Sequence, residues 1–523
     1  MQTNTHPLFG ALPTSSLVAA QEPPAPATTV IVKVISGDNR IDPLLDDAAF
    51  RFNEGSPVGT PVTVTFSFPA SVPASYAGED SLGWKPFSDQ QKSATREILG
   101  QLQQQTHITF QEVPEAGNST GTMRFSNNTQ ANSAGYALLP NSTQSENDAD
   151  TWIAIGSDTN VERGTFSWGT LVHEIGHAVG LNHPGNYNAG VAPKGDAVGN
   201  FLGADEDAFF NSIMSYRNSA QDIQSIWFMP YDMLALRYLY GTNATAIGNN
   251  TYTYSDAAGR LIDNIVDDSG VDTFDFSAVT IGVMLDLTPG AYSSVGKLAS
   301  GANALANLTT SFDAIIENAI GTFSNDTMLG NAANNRLTGG FGDDTIDGAA
   351  GIDTAVFGGL RAASGVAVGP SAVTVIGFEG TDTLTRIERL QFTDMKVALD
   401  LDGFAGITAK ILGAVFGRES IANKEYAGIG LGLLDAGTSY FDLMQLALNA
   451  RLGANASAET IVNVLYTNVV GSAPSGAEMA LYAGMLNSGA HTATTLGILA
   501  ADTPLNIANV GLVGLAQTGL EYV

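Results

Sequence analysis

The run His173-Glu174-Ile175-Gly176-His177-Ala178-Val179-Gly180-Leu181-Asn182-His183 holds three of the six histidines of the 523-residue chain. Leu171, Val172, Ile175, Ala178 and Val179 recur around them at helical spacing and predict a helix over 167–180. On that helix His173 and His177 stand one turn apart on one face, so both imidazoles can reach one ion about 2 Å away. Gly180 can take the left-handed conformation that ends a helix, turning the chain so that His183 returns to the same ion. Three neutral nitrogen ligands leave a fourth position for water, which separates a catalytic zinc from a closed structural one. Such a zinc acidifies its water to a pKa of about 7 and polarises a carbonyl, while Glu174 takes the proton as general base and hands it to the leaving amine. This is peptide-hydrolysis chemistry.

The pattern HExxHxxGxxH resembles the zinc signature of the metzincin metallopeptidases. The resemblance implies a methionine-containing turn downstream, and Ser212-Ile213-Met214-Ser215-Tyr216 stands there. By the same resemblance Met214 forms an apolar floor under the zinc, and Tyr216 is an extra, displaceable zinc ligand whose hydroxyl then stabilises the oxyanion. Pro184 after the third histidine, Ser36-Gly-Asp-Asn-Arg-Ile-Asp42 and Asp232–Gly241 look like the serralysin branch, as does the repeat array described next. Together these matches cover about residues 36–400.

Between about Thr251 and Asp400 the composition shifts to Gly, Asp, Asn and Thr, and a nine-residue period appears. Its hexads are Gly321–Asp326, Gly330–Asn335, Gly339–Asp344 and Gly348–Asp353, with Met328, Leu337, Ile346 and Ala355 as the inward residues that follow. Each hexad reads as a tight turn whose carbonyls and terminal carboxylate can face a hard cation. Successive turns alternate sides, so calcium sites are expected between Asp326 and Asp344 and between Asn335 and Asp353, with Gly321, Gly339, Gly340, Gly342, Gly348 and Gly351 in the turns. Asn335 in place of an Asp, and a missing second glycine in Gly321–Asp326, weaken two of those sites. Upstream, Asp267, Gly270, Asp272 and Glu317 resemble serralysin segments that bind further calcium, although Ser269 replaces the usual glycine. Crowded carboxylates repel until a cation binds, so several structural calcium ions beside one zinc are expected to be part of the fold's stability.

The rest of the chain bounds the function. A net charge of −30, from 22 Lys+Arg against 52 Asp+Glu, disfavours nucleic acid and anionic membranes as partners. The absence of cysteine removes disulfides, thiolate zinc sites and cysteine nucleophiles. No apolar stretch approaches the roughly 20 residues of a membrane helix. The fold class expected is multidomain. A flexible leader or propeptide spans 1–28, a mixed α/β (α+β) metzincin catalytic domain 29–250 and a parallel β-roll calcium-binding domain 251–400. An all-α, internally duplicated module carrying a secretion signal spans 401–523. Strands are expected at Val30–Ile35, Val62–Phe68, Ile108–Val113 and Thr122–Phe125, and helices at Ser88–Gln105 and Tyr231–Tyr240. The duplication pairs Gly432–Gly437 with Gly484–Gly489, and Phe416-Gly417 with Val470-Gly471.

These readings point to a secreted, monomeric zinc endopeptidase, a zymogen acting on protein or peptide substrates outside the cell. The resemblance implies passage through a type I secretion exporter without an N-terminal signal, with calcium-driven folding outside. The helical module is expected to serve attachment to the bacterial surface layer or export. The competing reading is a calcium-dependent adhesive protein with a vestigial metallopeptidase domain. Gly117-Asn-Ser-Thr-Gly121 satisfies GxSxG but lacks the strand and helix that a nucleophile elbow needs. His6, His107 and His491 have no partners at ligand spacing.

Overall fold

A computed structural model of the chain describes residues 36–45, 50–115, 120–157, 159–187, 201–217, 221 and 223–523. The leader, the strand expected at Val30–Ile35 and Ser119 of the GxSxG match lie outside the described residues. Two compact units emerge, one built on residues up to Asp272 with Thr288–Ile315, the other on Thr273–Leu287 with Ile316–Val523.

In the first unit Val62–Ser67 alternates β-branched and aromatic residues and forms a strand that buries Val64 and Phe66. A helix follows at Asp89–Gln105, capped by a reciprocal Ser88–Gln91 box and burying Ala94, Ile98, Leu99 and Leu102 along one stripe. The next strand, Ile108–Glu112, returns parallel to Val62–Ser67 with Val64 opposite Phe110. Met123–Asn128 and Thr151–Ala154 extend the sheet in the same sense. Gly135–Ala137 then closes its edge antiparallel to Thr151–Ala154, with Tyr136 opposite Trp152. The sheet is therefore mixed, four strands running parallel and the edge strand antiparallel.

The second unit carries the repeats. Thr327–Leu329 pairs parallel with Thr345–Asp347, while Arg336–Thr338 pairs parallel with Thr354–Val356, so neighbouring hexads feed opposite sheets. Met328, Leu337, Ile346 and Ala355 are all buried between those sheets. Each strand is three residues long and presents one apolar side chain inward, so the coils are stable only as a stack.

The remainder of that unit is helical, and the two segments paired in the sequence each close a helix. Lys424–Asp435 and Gly476–Asn487 end on Gly437 and Gly489, both with positive φ. Arg389, buried on the strand Arg389–Gln391, bonds Asp400 and Asp435 and so ties the coil to the helices. One feature departs from the all-α expectation. Leu520–Tyr522 is a strand, antiparallel to Lys396–Ala398. It buries Leu520 and Tyr522 and turns Glu521 outward to Lys424 and Arg361. Three residues of alternation are too few to stand out from a helical tail, and only pairing with a distant strand makes them one.

Candidate metal centres

The helix of the histidine run spans Phe166–Ala178, with Thr165 capping the Trp168 amide. It ends as Gly180 requires. The Leu181 N–H donates to Gly176 O and the Gly180 N–H to His177 O, each at 2.9 Å, and Gly180 has φ +108°. That paired closure reverses the chain within two residues and delivers His183. Nε2 of His183 lies 3.2 Å from Nε2 of His173 and 3.1 Å from Nε2 of His177. Nitrogens about 2.0–2.1 Å from one tetrahedral ion would stand roughly 3.3 Å apart, so the spacing fits zinc. Among the described residues these three form the group of His and carboxylate side chains close enough to hold a metal.

The supporting contacts fix the donor state. Nδ1 of His173 meets Ile213 O at 2.8 Å and Nδ1 of His177 meets Leu181 O at 2.7 Å, which assigns the proton to Nδ1 and leaves Nε2 lone pairs for the ion. Burial pushes His173 down to about 4 and His177 to about 3, so both are neutral near pH 7, as a ligand must be. Glu174 is fully buried beside them on the same helix. The edge strand presses on it: a Cβ on Gly135 would stand 2.8 Å from Cγ and 3.0 Å from Oε1 of Glu174.

Met214 is fully buried and packs against Gly176 of the helix, where an added Cβ would stand 2.7 Å from its sulfur. Its turn is pinned by Asp232, which accepts from the Ser212 hydroxyl at 2.5 Å, the Ile213 amide at 2.7 Å and the Met229 amide at 2.8 Å. The amide and carbonyl of Ile213 thus join Asp232 to His173. Tyr216 places its ring 4.3 Å from that of His183 and 6.0 Å from that of His173, centroid to centroid. Sequence reasoning left Gly135 and Tyr187 unassigned and read Asp232 only as family context. Gly135 reaches the site through sheet-on-helix packing, and Tyr187, four residues after His183, is marked only by its contact with Tyr216, 29 residues on.

The repeat turns divide into two kinds. At the hexad ending in Asp344 the backbone N–H of Asp326 reaches Asp344 Oδ1 at 2.8 Å, and at the next the Asn335 N–H reaches Asp353 Oδ1 at 2.7 Å. The second oxygens, Oδ2 of Asp344 and Oδ2 of Asp353, are buried without a hydrogen-bond partner. Burial, with neighbouring acids, pushes both carboxyls up to about 7. Buried carboxylate oxygens left over after bonding fit a cation ligand. Asp326 differs, taking bonds from the Thr322 and Val283 amides and the Thr322 hydroxyl. Asn335 differs too, since its amide donates to Glu317 O and Asn331 Oδ1 and so occupies the place of an ion with N–H groups.

Two acids that the period did not reveal extend the array. Asp382 accepts from the Asp344 amide at 3.0 Å and Glu388 from the Asp353 amide at 2.8 Å. The hairpin of Gly365–Val368 and Val373–Ile376 interrupts the nine-residue count before them. Gly321, Gly339, Gly340, Gly342, Gly348 and Gly351 lie in the turns. Farther upstream, Asp267 accepts from Tyr252 at 2.5 Å, Asp272 accepts from the Asn250 amide at 2.7 Å, and Gly270 takes positive φ between them.

Comparison with known proteins now bears on this arrangement. Residues 235–368 match the family Peptidase M10 serralysin C terminal. A serralysin of Proteus mirabilis is 33% identical over 317 residues, covering 54% of this chain and 62% of its own length. The chain resembles the serralysin-type metalloproteases. The metalloprotease AprA of Pseudomonas entomophila is 30% identical over 303 residues, 53% of this chain and 60% of its own. A serralysin of Photorhabdus laumondii is 29% identical over 352 residues, 62% of this chain and 67% of its own. The chain thus spans about three fifths of the length of the first two serralysin-type relatives.

Proposed function

We propose that the chain is a zinc-dependent, calcium-stabilised endopeptidase that cleaves extracellular or surface proteins. The observation that carries the reading is the convergence of three buried Nε2 atoms beside a fully buried carboxylate. His173, His177 and His183 would hold the ion, with Tyr216 as a displaceable fourth side chain. The zinc, when bound, supplies Lewis acidity to the attacking water and the scissile carbonyl. Glu174 takes the proton of that water and delivers it to the leaving amine, a transfer that burial favours by keeping bulk water away. The Tyr216 hydroxyl donates to the oxyanion as charge develops there. Met214 supplies an apolar floor that keeps the histidine helix and the turn in register.

Calcium at Asp344 and Asp353, and at the Asp267–Asp272 loop, would neutralise buried acids and order the coil. Secretion through a type I exporter is part of the same proposal, supported by the likeness to serralysins. No helix among the described residues is long and apolar enough to cross a membrane. Residues 29–250 would form the catalytic domain, 251–400 the calcium-binding domain, and 401–523 an attachment or export module.

Glu174→Gln tests the centre. It is expected to retain one zinc by elemental analysis and to lose at least ~10²-fold in turnover on casein, the scale for removing a general base. Casein hydrolysis at the parent rate by the zinc-loaded variant would remove the proposed mechanism.

A further inference from the structure

Tyr187 has no part in the chemistry above, yet its surroundings tie it to Tyr216. The two phenol rings stack with centroids 4.9 Å apart and planes 26° apart, on the side where Tyr216 approaches His183. The Tyr187 hydroxyl donates to Asp207 Oδ1 at 2.7 Å and accepts the backbone N–H of Tyr216 at 3.1 Å. Ser215 gives its own hydroxyl proton to the same Asp207 oxygen at 2.7 Å. Asp207 is buried, and its other oxygen faces Arg217 Nε at 3.3 Å.

The Tyr187 hydroxyl is therefore held between a buried carboxylate, to which it donates, and the backbone N–H of Tyr216, from which it accepts. Burial beside Asp207 pushes the phenol up, so it keeps the proton that it donates. The packing also has a steric signature. A Cβ on Gly185 would stand 2.0 Å from a Tyr187 ring carbon and 2.6 Å from Asp207 Oδ2.

We propose that Tyr187 is a positioning residue that confines Tyr216 to the approach from which its hydroxyl serves the oxyanion. The proposal rests on the oxyanion role given to Tyr216 above. A group needed only as charge develops must be held near its target and still be able to shift. Stacking meets both needs, because offset rings slide in plane at little cost but resist swinging apart. The bond to the Tyr216 amide adds a fixed hinge for that ring. Confinement of this kind raises turnover by removing unproductive rotamers before the reaction begins.

Tyr187→Phe keeps the ring and removes the hydroxyl, whereas Tyr187→Leu removes both. The full chain, labelled with 3-fluorotyrosine, would be read by fluorine NMR without metal, the Tyr216 signal being assigned by its loss in Tyr216→Phe. The expected result is one sharp Tyr216 signal in the parent, broadened or split in Tyr187→Phe and more so in Tyr187→Leu. In zinc-loaded protein, Tyr187→Phe should lower kcat about tenfold, the scale of one lost hydrogen bond to a charged group, with KM nearly unchanged and one zinc retained. Added to Tyr216→Phe, it should cost nothing more.

Additive losses in the double variant, or a Tyr216 signal unchanged by both substitutions, would overturn the proposal. If Tyr216→Phe alone leaves kcat intact, the oxyanion reading of Tyr216 fails instead, and the fluorine signal still decides whether Tyr187 positions that ring.

Discussion

Gly135→Ala asks whether the edge strand holds Glu174 where the reaction needs it. Gly135 does not have positive φ, so alanine suits its backbone, and a strand favours Ala over Gly by about 0.5–1 kcal/mol. The nearest obstacle is the Glu174 side chain. The new Cβ would stand 2.8, 3.0 and 3.1 Å from Cγ, Oε1 and Cδ of Glu174. Carbon atoms settle at about 3.5–4.0 Å, so Glu174 must retreat by roughly 0.7–1.2 Å. The helix cannot yield for it, because Ser167 to Ala178 are buried throughout. The side chain must therefore rotate, and misplacing a reacting group by about 1 Å costs on the order of 10²-fold. The expectation is a kcat lower by about 10- to 100-fold on a quenched-fluorescence peptide, with one zinc retained and the melting temperature close to the parent's. In a Glu174→Gln background the same substitution should cost nothing further. Turnover within about threefold of the parent, with zinc bound, would refute the claim that this strand sets the position of the base.

Two further outcomes test the supports of the metal centres. Asp232→Ala orphans three buried donors at about 1–3 kcal/mol each, so a loss of at least about 3 kcal/mol in urea unfolding is expected, with faster zinc loss to a chelator as the Ile213 carbonyl leaves His173. In calcium titrations followed by circular dichroism, Asp344→Ala and Asp353→Ala should raise the calcium concentration needed to order the repeats. Asn335→Ala should leave that midpoint in place while lowering stability at saturating calcium, and equal shifts for all three would contradict the division of the turns into two kinds.

The parts of this protein legible in its sequence are those whose determinants lie close together along the chain. The histidine helix, the Gly180 reversal and the four hexads each sit within thirteen residues, and local periodicity exposes them. The helix Asp89–Gln105 announces itself likewise through Ser88, Gln91 and one apolar stripe. What stayed hidden is assembled by long closures. Gly135 meets Glu174 through sheet and helix packing, and a lone glycine at a strand edge carries no signal of what it faces. Asp382 and Glu388 follow an inserted hairpin that breaks the count, 38 and 35 residues after the residues whose amides they accept. The strand Leu520–Tyr522 owes its existence to Lys396–Ala398, more than a hundred residues earlier.

The two kinds of candidate metal site are built in opposite ways. Around the histidines the chain supplies neutral dipoles, the carbonyls of Ile213 and Leu181, which orient the rings without an ion and cost little when none is bound. Along the repeats it supplies buried carboxyls, Asp344 with Asp382 nearby and Asp353, whose pKa values are raised chiefly by desolvation and further by neighbouring acids. Asn335 shows the alternative open at each level, an amide that satisfies the turn with its own N–H groups and needs no cation. On the proposed reading, Asp at 344 and 353 would give up calcium-independent order at those levels and make their folding answer to calcium. On that reading, a peptidase whose order depends on external calcium would be harmless in the calcium-poor cell that makes it, which would join the acidic coil and the histidine site in one function.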